Sequence, residues 1–304
     1  GPREVVLQRI NRRQDTDQVM FADAATGAVR TALVERDSAW VDVVDDMIWI
    51  GNGARFLWTS ERDGWTHVYA VTREGQITLL TPGAYDVVSI AAMDEAGGWL
   101  YVIASPDNAT QRYLYRTRLN GTGRAERVSP AGAPGSHSYN MSPDARWALH
   151  SYSTFDTPPV TELVSLPDHR RVRLLVDNAA LRAAALPLRQ RPVEFFRVSV
   201  GDGVTLDGWM IKPANFDSTR SYPLLMHVYG EPAGTTVVDR WGGNGMLWHR
   251  LLADQGYIVA SVDNRGTPAP RSRAWRKAVY GAIGVIASRE QAEAVRELTR
   301  SRRY

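Results

Sequence analysis

Residues Tyr222 to Pro232 read YPLLMHVYGEP. Leu224 to Val228, apolar except at His227, suit a buried strand, and Gly230 to Pro232 supply a turn directly after it. In open α/β sheets the carboxyl ends of the strands and the loops that follow them form the ligand crevice. Tyr229 stands at that mouth. A phenol there can donate a hydrogen bond to an oxyanion as it develops, which helps only if the donor is aimed at the charge beforehand.

The pattern extends on both sides. Upstream lies SVGDGVTLDGWMIKP (Ser199 to Pro213), which reads as a hairpin, followed by NFD; downstream come GYIVASVDNRGT (Gly256 to Thr267) and the pair Tyr280-Gly281. In order and spacing these elements resemble the prolyl oligopeptidase family of serine peptidases, most closely its dipeptidyl peptidase IV branch. Glu231 stands where that family usually has a glycine before the proline. The resemblance implies an α/β-hydrolase domain in which Tyr229 belongs to the oxyanion hole. Asp263, Asn264 and Arg265, at the end of the neighbouring strand, are expected to support the crevice.

An α/β-hydrolase nucleophile sits in G-x-S-x-G, and its triad follows in the order Ser, Asp or Glu, His. The chain has no such motif. Its nearest look-alike, Gly135-Ser136-His137-Ser138, lacks the second glycine, precedes the hydrolase pattern and reads as a polar loop. Ser288 to Leu298 carries helical spacing after a serine with Gln291 three residues on, a capping box. In the family this helix precedes the strand that delivers the serine, so nucleophile, acid and base are all expected beyond Tyr304. None of the six histidines reads as a base. His227 falls inside the strand, His249 on a helix, and His67, His137, His150 and His169 in β-rich strands or turns. No metal is expected, because there is no cysteine, no H-E-x-x-H and no histidine-carboxylate cluster at ligand spacing along the sequence.

Before Leu186 the chain repeats a β-rich unit about every 45 to 50 residues, the spacing of propeller blades. The first strands of the units read VVLQRI, ARFLWT, WLYVIA and WALHSY, from Val5, Ala54, Trp99 and Trp147. The later hairpins read QVMFADAATGAVRTALV, HVYAVTREGQITLLT, YLYRTRLNGTGRAERVS and ELVSLPDHRRVRLLV. WTSERDGWTHVYAV, from Trp58 to Val71, resembles a dipeptidyl peptidase IV blade. Its polar Ser60 to Asp63 read as a hairpin turn before Gly64 rather than as an active site. Asn140 to Asp144 read as another such turn.

The branch has an eight-bladed propeller, so the resemblance implies about four blades, the last four, at residues 1–185. A linker at 186–194 and the first part of the hydrolase domain at 195–304 would follow. The preceding Asp177 to Ala185 reads as a short helix with Asn178 near its start. The family's paired glutamates, which hold a substrate's amino terminus, belong to the earlier half, and neither Glu61 nor Glu126 is assigned that role. An open half-propeller exposes blade faces and edges. Self-association through those faces is therefore expected of the chain.

The function implied for the parent is a serine exopeptidase that releases Xaa-Pro or Xaa-Ala dipeptides from peptide amino termini, with these 304 residues inactive alone. Two alternatives stay open: a catalytically dead interaction module, favoured by the absent G-x-S-x-G, and an acylaminoacyl peptidase or oligopeptidase of the same family. SERDGW and DNRGT tilt the reading to the dipeptidyl branch. By resemblance, the parent is expected to be a homodimer, periplasmic or secreted.

Composition is compatible with this. The chain has 304 residues, 44% hydrophobic, enough for two packed domains. A net charge of +3, nearly all of the positive side chains being arginine spread along both halves, lacks the clustered stripe of a nucleic-acid binder. The densest basic stretch, Arg271 to Lys277 around Trp275, reads as a solvated loop. Zero cysteines exclude disulfides, thiolate metal sites and a cysteine nucleophile. No stretch reaches the roughly 18 apolar residues of a membrane span, and no cofactor motif is present.

Overall fold

The computed structural model describes residues 3–45, 47–187, 193–302 and 304. Its first part is four antiparallel meanders. The first has three strands, β1 (Glu4–Ile10), β2 (Thr16–Asp23) and β3 (Val29–Arg36). The second is β4 (Trp49–Ile50), β5 (Arg55–Ser60), β6 (His67–Thr72) and β7 (Ile77–Leu79); the third is β8 (Val87–Asp94), β9 (Trp99–Ala104), β10 (Tyr113–Arg118) and β11 (Glu126–Arg127). β12 (Ser136–Met141), β13 (Trp147–Thr154), β14 (Thr157–Ser165) and β15 (Arg170–Val176) make the fourth.

Side chains alternate between the two faces of a strand, so a sheet with neighbours on both sides must be apolar on both. In β5, Phe56 and Trp58 pack with Val19 and Phe21 of the first sheet, while Leu57 packs with Leu100 and Val102 of the third. In β9, Leu100, Val102 and Ala104 face the second sheet, and Tyr101 joins a cluster with Tyr139 and Met141 of the fourth. The sheets thus stack in chain order, sharing a core at each junction. Beyond the stack, Val5, Val6 and Leu7 of β1 and Val172, Leu174, Leu175 and Val176 of β15 stay exposed.

One part of the repeat reading is corrected. β5, β9 and β13, read as opening their units, are the second strands of their sheets. The opening strands β4, β8 and β12 escape a pattern search for physical reasons: β4 has two residues, β8 pairs through register shifts, and β12 reads SHSYNM with little apolar alternation. The first sheet has three strands because β1 has no such partner among the described residues.

α1 (Ala179–Ala185) follows Asn178, with the Asp177 carboxylate accepting from Ala179 N at 2.9 Å. Of the expected linker, residues 188–192 lie outside the described residues. A mixed sheet then forms from β16 (Val193–Ser199), β17 (Thr205–Ile211), β18 (Leu224–Met226) and β19 (Ile258–Asp263), in the order β16-β17-β19-β18. β18 runs parallel to β19, and the other pairs are antiparallel. Every residue of β19 is buried, because helices cover both faces. α4 (Val285–Ser301) sets Ala294 and Leu298 against Met210, Ala260 and Val262; α2 (Gly243–Asp254) sets Met246 and Ala253 against Trp209, Ile211 and Val259. Among the described residues no helix is long and apolar enough to cross a membrane.

Three expectations in this part are also corrected. The strand expected to be buried from Leu224 to Val228 ends at Met226 and is only half-buried, with His227 and Val228 exposed. It lies at the edge, with β19 on one side and no paired strand on the other among the described residues. The terminal helix starts at Val285, after Gly284 at φ 76°, without a side-chain cap. Ser288 is already inside it. Finally, the basic stretch from Arg271 is not a solvated loop. It contains α3 (Arg273–Arg276), and Trp275 and Lys277 are buried.

Those cations tie the mixed sheet to the stacked sheets. Lys277 Nζ lies 2.7 Å from Asp37 and 2.8 Å from Glu61, Arg276 Nε donates to Glu61 at 2.9 Å, and Arg273 grips Asp37 with two nitrogens. Arg276 also pairs with Asp42. Burial opposes the charge on Asp37, but hydrogen bonds from Arg273 and Lys277 outweigh it and hold the carboxyl down at about 2. Nearby, Asp86 accepts from Ser272 N at 2.6 Å and Thr66 N at 2.7 Å. Further along the seam, Asp239 accepts from Gln111 of the third sheet and from Phe155 N beyond the end of β13, each at 2.9 Å.

Candidate functional site

The carboxyl end of β18 carries the candidate site. His227 N continues the ladder, donating to Ala260 O at 2.8 Å, and Ser261 Oγ donates to His227 O at 2.6 Å. Two residues on, Tyr229 is 49% exposed, so its phenol is accessible to a ligand. Its ring lies against the backbone at Gly234, where an added Cβ would stand 3.4 Å from Tyr229 Cε1. Gly230 follows at φ 79°, and a Cβ there would come within 3.3 Å of Asn264 Oδ1. The positive φ and the close Asn264 oxygen favour glycine at position 230.

Asn264 is fully buried and clamps this turn. Its Nδ2 donates to Gly230 O at 3.1 Å and Arg265 O at 2.7 Å, while its Oδ1 accepts from Gln291 Nε2 at 3.0 Å. Gln291 also donates to Val262 O at 2.9 Å, so the residue read as a helix cap instead fixes Asn264. Arg265 turns to α4, where its backbone N and Nε meet the buried Glu290 at 2.9 and 2.6 Å. Asp263 faces the loop after Tyr229: Oδ1 accepts from Thr236 N and Thr236 Oγ1, both at 2.9 Å, and Oδ2 accepts from Val237 N at 3.0 Å. Burial raises the Asp263 carboxyl, and these bonds pull it back in part. Asn264 thus holds the turn directly after Tyr229, Asp263 holds the loop at Thr236 and Val237, and Arg265 is tied to α4. Glu290 and Thr236 were not singled out from the sequence, since their contacts lie 25 and 27 residues away.

Two cavities lie where the mixed sheet meets the stack. One of about 370 Å³, lined by Trp40, Pro232, Tyr280 and Ile283, adjoins the turn at Pro232. A larger one of about 700 Å³ opens between the first three sheets and Pro268 to Lys277, with Glu35, Asp42, Glu61, Asp86 and Arg276 on its walls. Its Glu61 is occupied by Arg276 and Lys277, and Glu126 pairs with Arg116 on the surface.

The profile of the dipeptidyl peptidase IV (DPP IV) N-terminal region matches residues 1–159. The chain belongs to the dipeptidyl peptidase IV family. A probable dipeptidyl peptidase 4 of Emericella nidulans is 26% identical over 97% of this chain and 39% of its own length. A probable dipeptidyl-aminopeptidase B of the same organism is 29% identical over 92% of the chain and 32% of its own length. The crystal structure of Porphyromonas gingivalis dipeptidyl peptidase 4 superposes with a TM-score of 0.88 at 28% identity, over 97% of this chain and 41% of that one. A putative dipeptidyl aminopeptidase IV from Bacteroides ovatus shares the fold, with a TM-score of 0.84 at 22% identity. The chain thus spans 32 to 41% of the length of the first three of these relatives. The 159 residues that the profile covers fall within the propeller-like stack of meanders, whose last strand ends at Val176.

The histidines fall into three groups. His67 is buried with Nδ1 at 2.7 Å from Asp63, and His227 and His249 meet edge to face at 4.6 Å beside Trp209. His137, His150 and His169 converge in the fourth sheet.

Proposed function

We propose that Tyr229 is an oxyanion donor of a serine exopeptidase that releases Xaa-Pro or Xaa-Ala dipeptides from peptide amino termini. In this reading residues 1–185 are about four blades of an eight-bladed propeller. Residues 186–194 are a linker, and 195–304 are the first part of an α/β-hydrolase domain. The carrying observation is a half-exposed phenol at the carboxyl end of a parallel strand, its turn clamped by buried Asn264. A phenol so held stabilises the tetrahedral oxyanion made when a histidine-activated serine attacks the scissile carbonyl. These 304 residues contain no G-x-S-x-G, so the serine, histidine and aspartate come from elsewhere in the parent. Asp263, Asn264 and Arg265 hold the crevice in shape.

The assay is direct. A dipeptidyl-Pro chromogenic substrate is expected to be cleaved by the parent, with inhibition by an organophosphonate, and not by the 304 residues alone. Phosphonate-sensitive cleavage by the chain alone would overturn the division of machinery. A parent that takes only acylated amino termini would move the assignment to an acylaminoacyl peptidase.

The parent is read as a homodimer in the periplasm or outside the cell. For the chain alone, the exposed apolar residues of β1 and β15 support self-association through the end faces of the stack. Sedimentation is expected to show oligomers that grow with concentration; a monomer at high concentration would remove this part of the reading.

A further inference from the structure

We propose that His150, Glu162 and His169 form a binding site for a divalent transition-metal ion, with zinc the best match. His150 and Glu162 lie in the fourth sheet and His169 in one of its turns, whereas Tyr229 follows a strand of the mixed sheet. Strand register pairs Tyr139 with His150 and His150 with Glu162, so three adjacent strands set these side chains side by side. His169, in the turn between β14 and β15 at φ 51°, meets the His150 ring edge to face at 4.6 Å. The donor atoms of the three residues all lie within 4.8 Å of one another, the one such group among the described residues.

Proton bookkeeping makes the case for a cation. His137 Nε2 lies 2.8 Å from the Ala133 carbonyl, so that nitrogen carries a proton. A neutral His137 must then accept at Nδ1, and its partner at 2.9 Å is His150 Nε2, which therefore donates. This leaves a neutral His150 with a bare lone pair on Nδ1, only 3.1 Å from Glu162 Oε1. Two acceptors at that separation repel unless a proton or another cation stands between them.

A metal ion resolves the conflict without an imidazolium. Zinc bonds of about 2.0–2.1 Å place neighbouring tetrahedral donors about 3.4 Å apart, close to the His150–Glu162 spacing. Two imidazoles and a carboxylate, with a fourth position for water, make a borderline-soft donor set that suits zinc over magnesium or calcium. Outer contacts already hold both rings. His137 anchors His150, and the Tyr139 hydroxyl sits 2.8 Å from His169 Nε2 and 2.8 Å from Ser129 Oγ. Arg171, 3.8 Å from Glu162 Oε2, is 64% exposed and free to swing into solvent.

Zinc chloride titrated calorimetrically into the chelator-treated 304-residue chain tests this. One equivalent is expected to bind and to raise Tm, and cobalt is expected to give the visible bands of a tetrahedral site. Glu162→Gln keeps the side-chain shape, and His169→Asn suits a positive φ. Each is expected to weaken zinc by at least about 100-fold, the upper end of what an outer-shell change costs, with the metal-free Tm near wild type. The proposal is overturned if the wild type binds no zinc, if both variants bind as tightly as wild type, or if nitrogen NMR shows a His150 imidazolium that zinc does not displace.

Discussion

Replacing Tyr229 by phenylalanine in the complete enzyme is expected to lower kcat by about 100- to 1000-fold, with little change in KM. The substitution removes one hydrogen-bond donor and leaves the ring, which packs against the backbone at Gly234. The turn stays in place as well, because Asn264 holds Gly230 through backbone atoms and not through the phenol. What is lost is a donor that matters only once negative charge has formed on the substrate oxygen, so the loss falls on the transition state and not on the bound substrate. Steady-state kinetics on a dipeptidyl-Pro substrate separates the outcomes. Near-normal kcat would remove Tyr229 from the reaction, and a change confined to KM would make it a substrate contact.

Lys277→Met is expected to destabilise the chain by about 3 kcal/mol in urea unfolding, the cost of breaking a buried ion pair on one side. Lys277 is 5% exposed, and its partners Asp37 and Glu61 are 7% and 8% exposed. Methionine fills nearly the same volume, so the change reports the charge. Arg273 and Arg276 remain on the two carboxylates and keep the cost at the lower end. Unfolding at the wild-type midpoint would mean that the seam is solvated.

The same seam fixes a pH dependence. Asp37 is held down at about 2, below an ordinary aspartate near about 3.9. Its charged form is therefore favoured in the folded chain: its contribution is complete above about pH 4 and is lost as the pH falls to about 2. The penalty of Lys277→Met is expected to shrink over that window. Asp86, raised by burial, has the opposite sign. Its contribution is greatest in acid and is lost as the pH rises past its raised pKa.

Much of the architecture was legible because it follows from local chemistry. Period-2 alternation and turns of Gly, Asp or Asn marked the hairpins β2–β3, β6–β7, β10–β11 and β14–β15, and the strand-turn at Tyr229 stands where the apolar run stops. Strands such as β4 and β12 stayed hidden because their pairing depends on a neighbouring strand and not on their own pattern. Edge position was equally invisible: Leu224 to Val228 look buried by composition, yet half the strand's surroundings are set by what lies next to it in the sheet.

The sequence by itself determined the repeat, the family and the phenol in the turn after the apolar run, since each is spelled by short motifs whose own residues lie within a few positions of one another. Only the tertiary structure decided the rest. Arg273, Arg276 and Lys277 looked like a solvated basic loop until the fold brought them to carboxylates 215 to 240 residues away. His150, Glu162 and His169 looked scattered until strand register set them side by side. Charge pairing and metal donor sets depend on distances of a few ångströms in space, and spacing along the chain carries that information only within a single element.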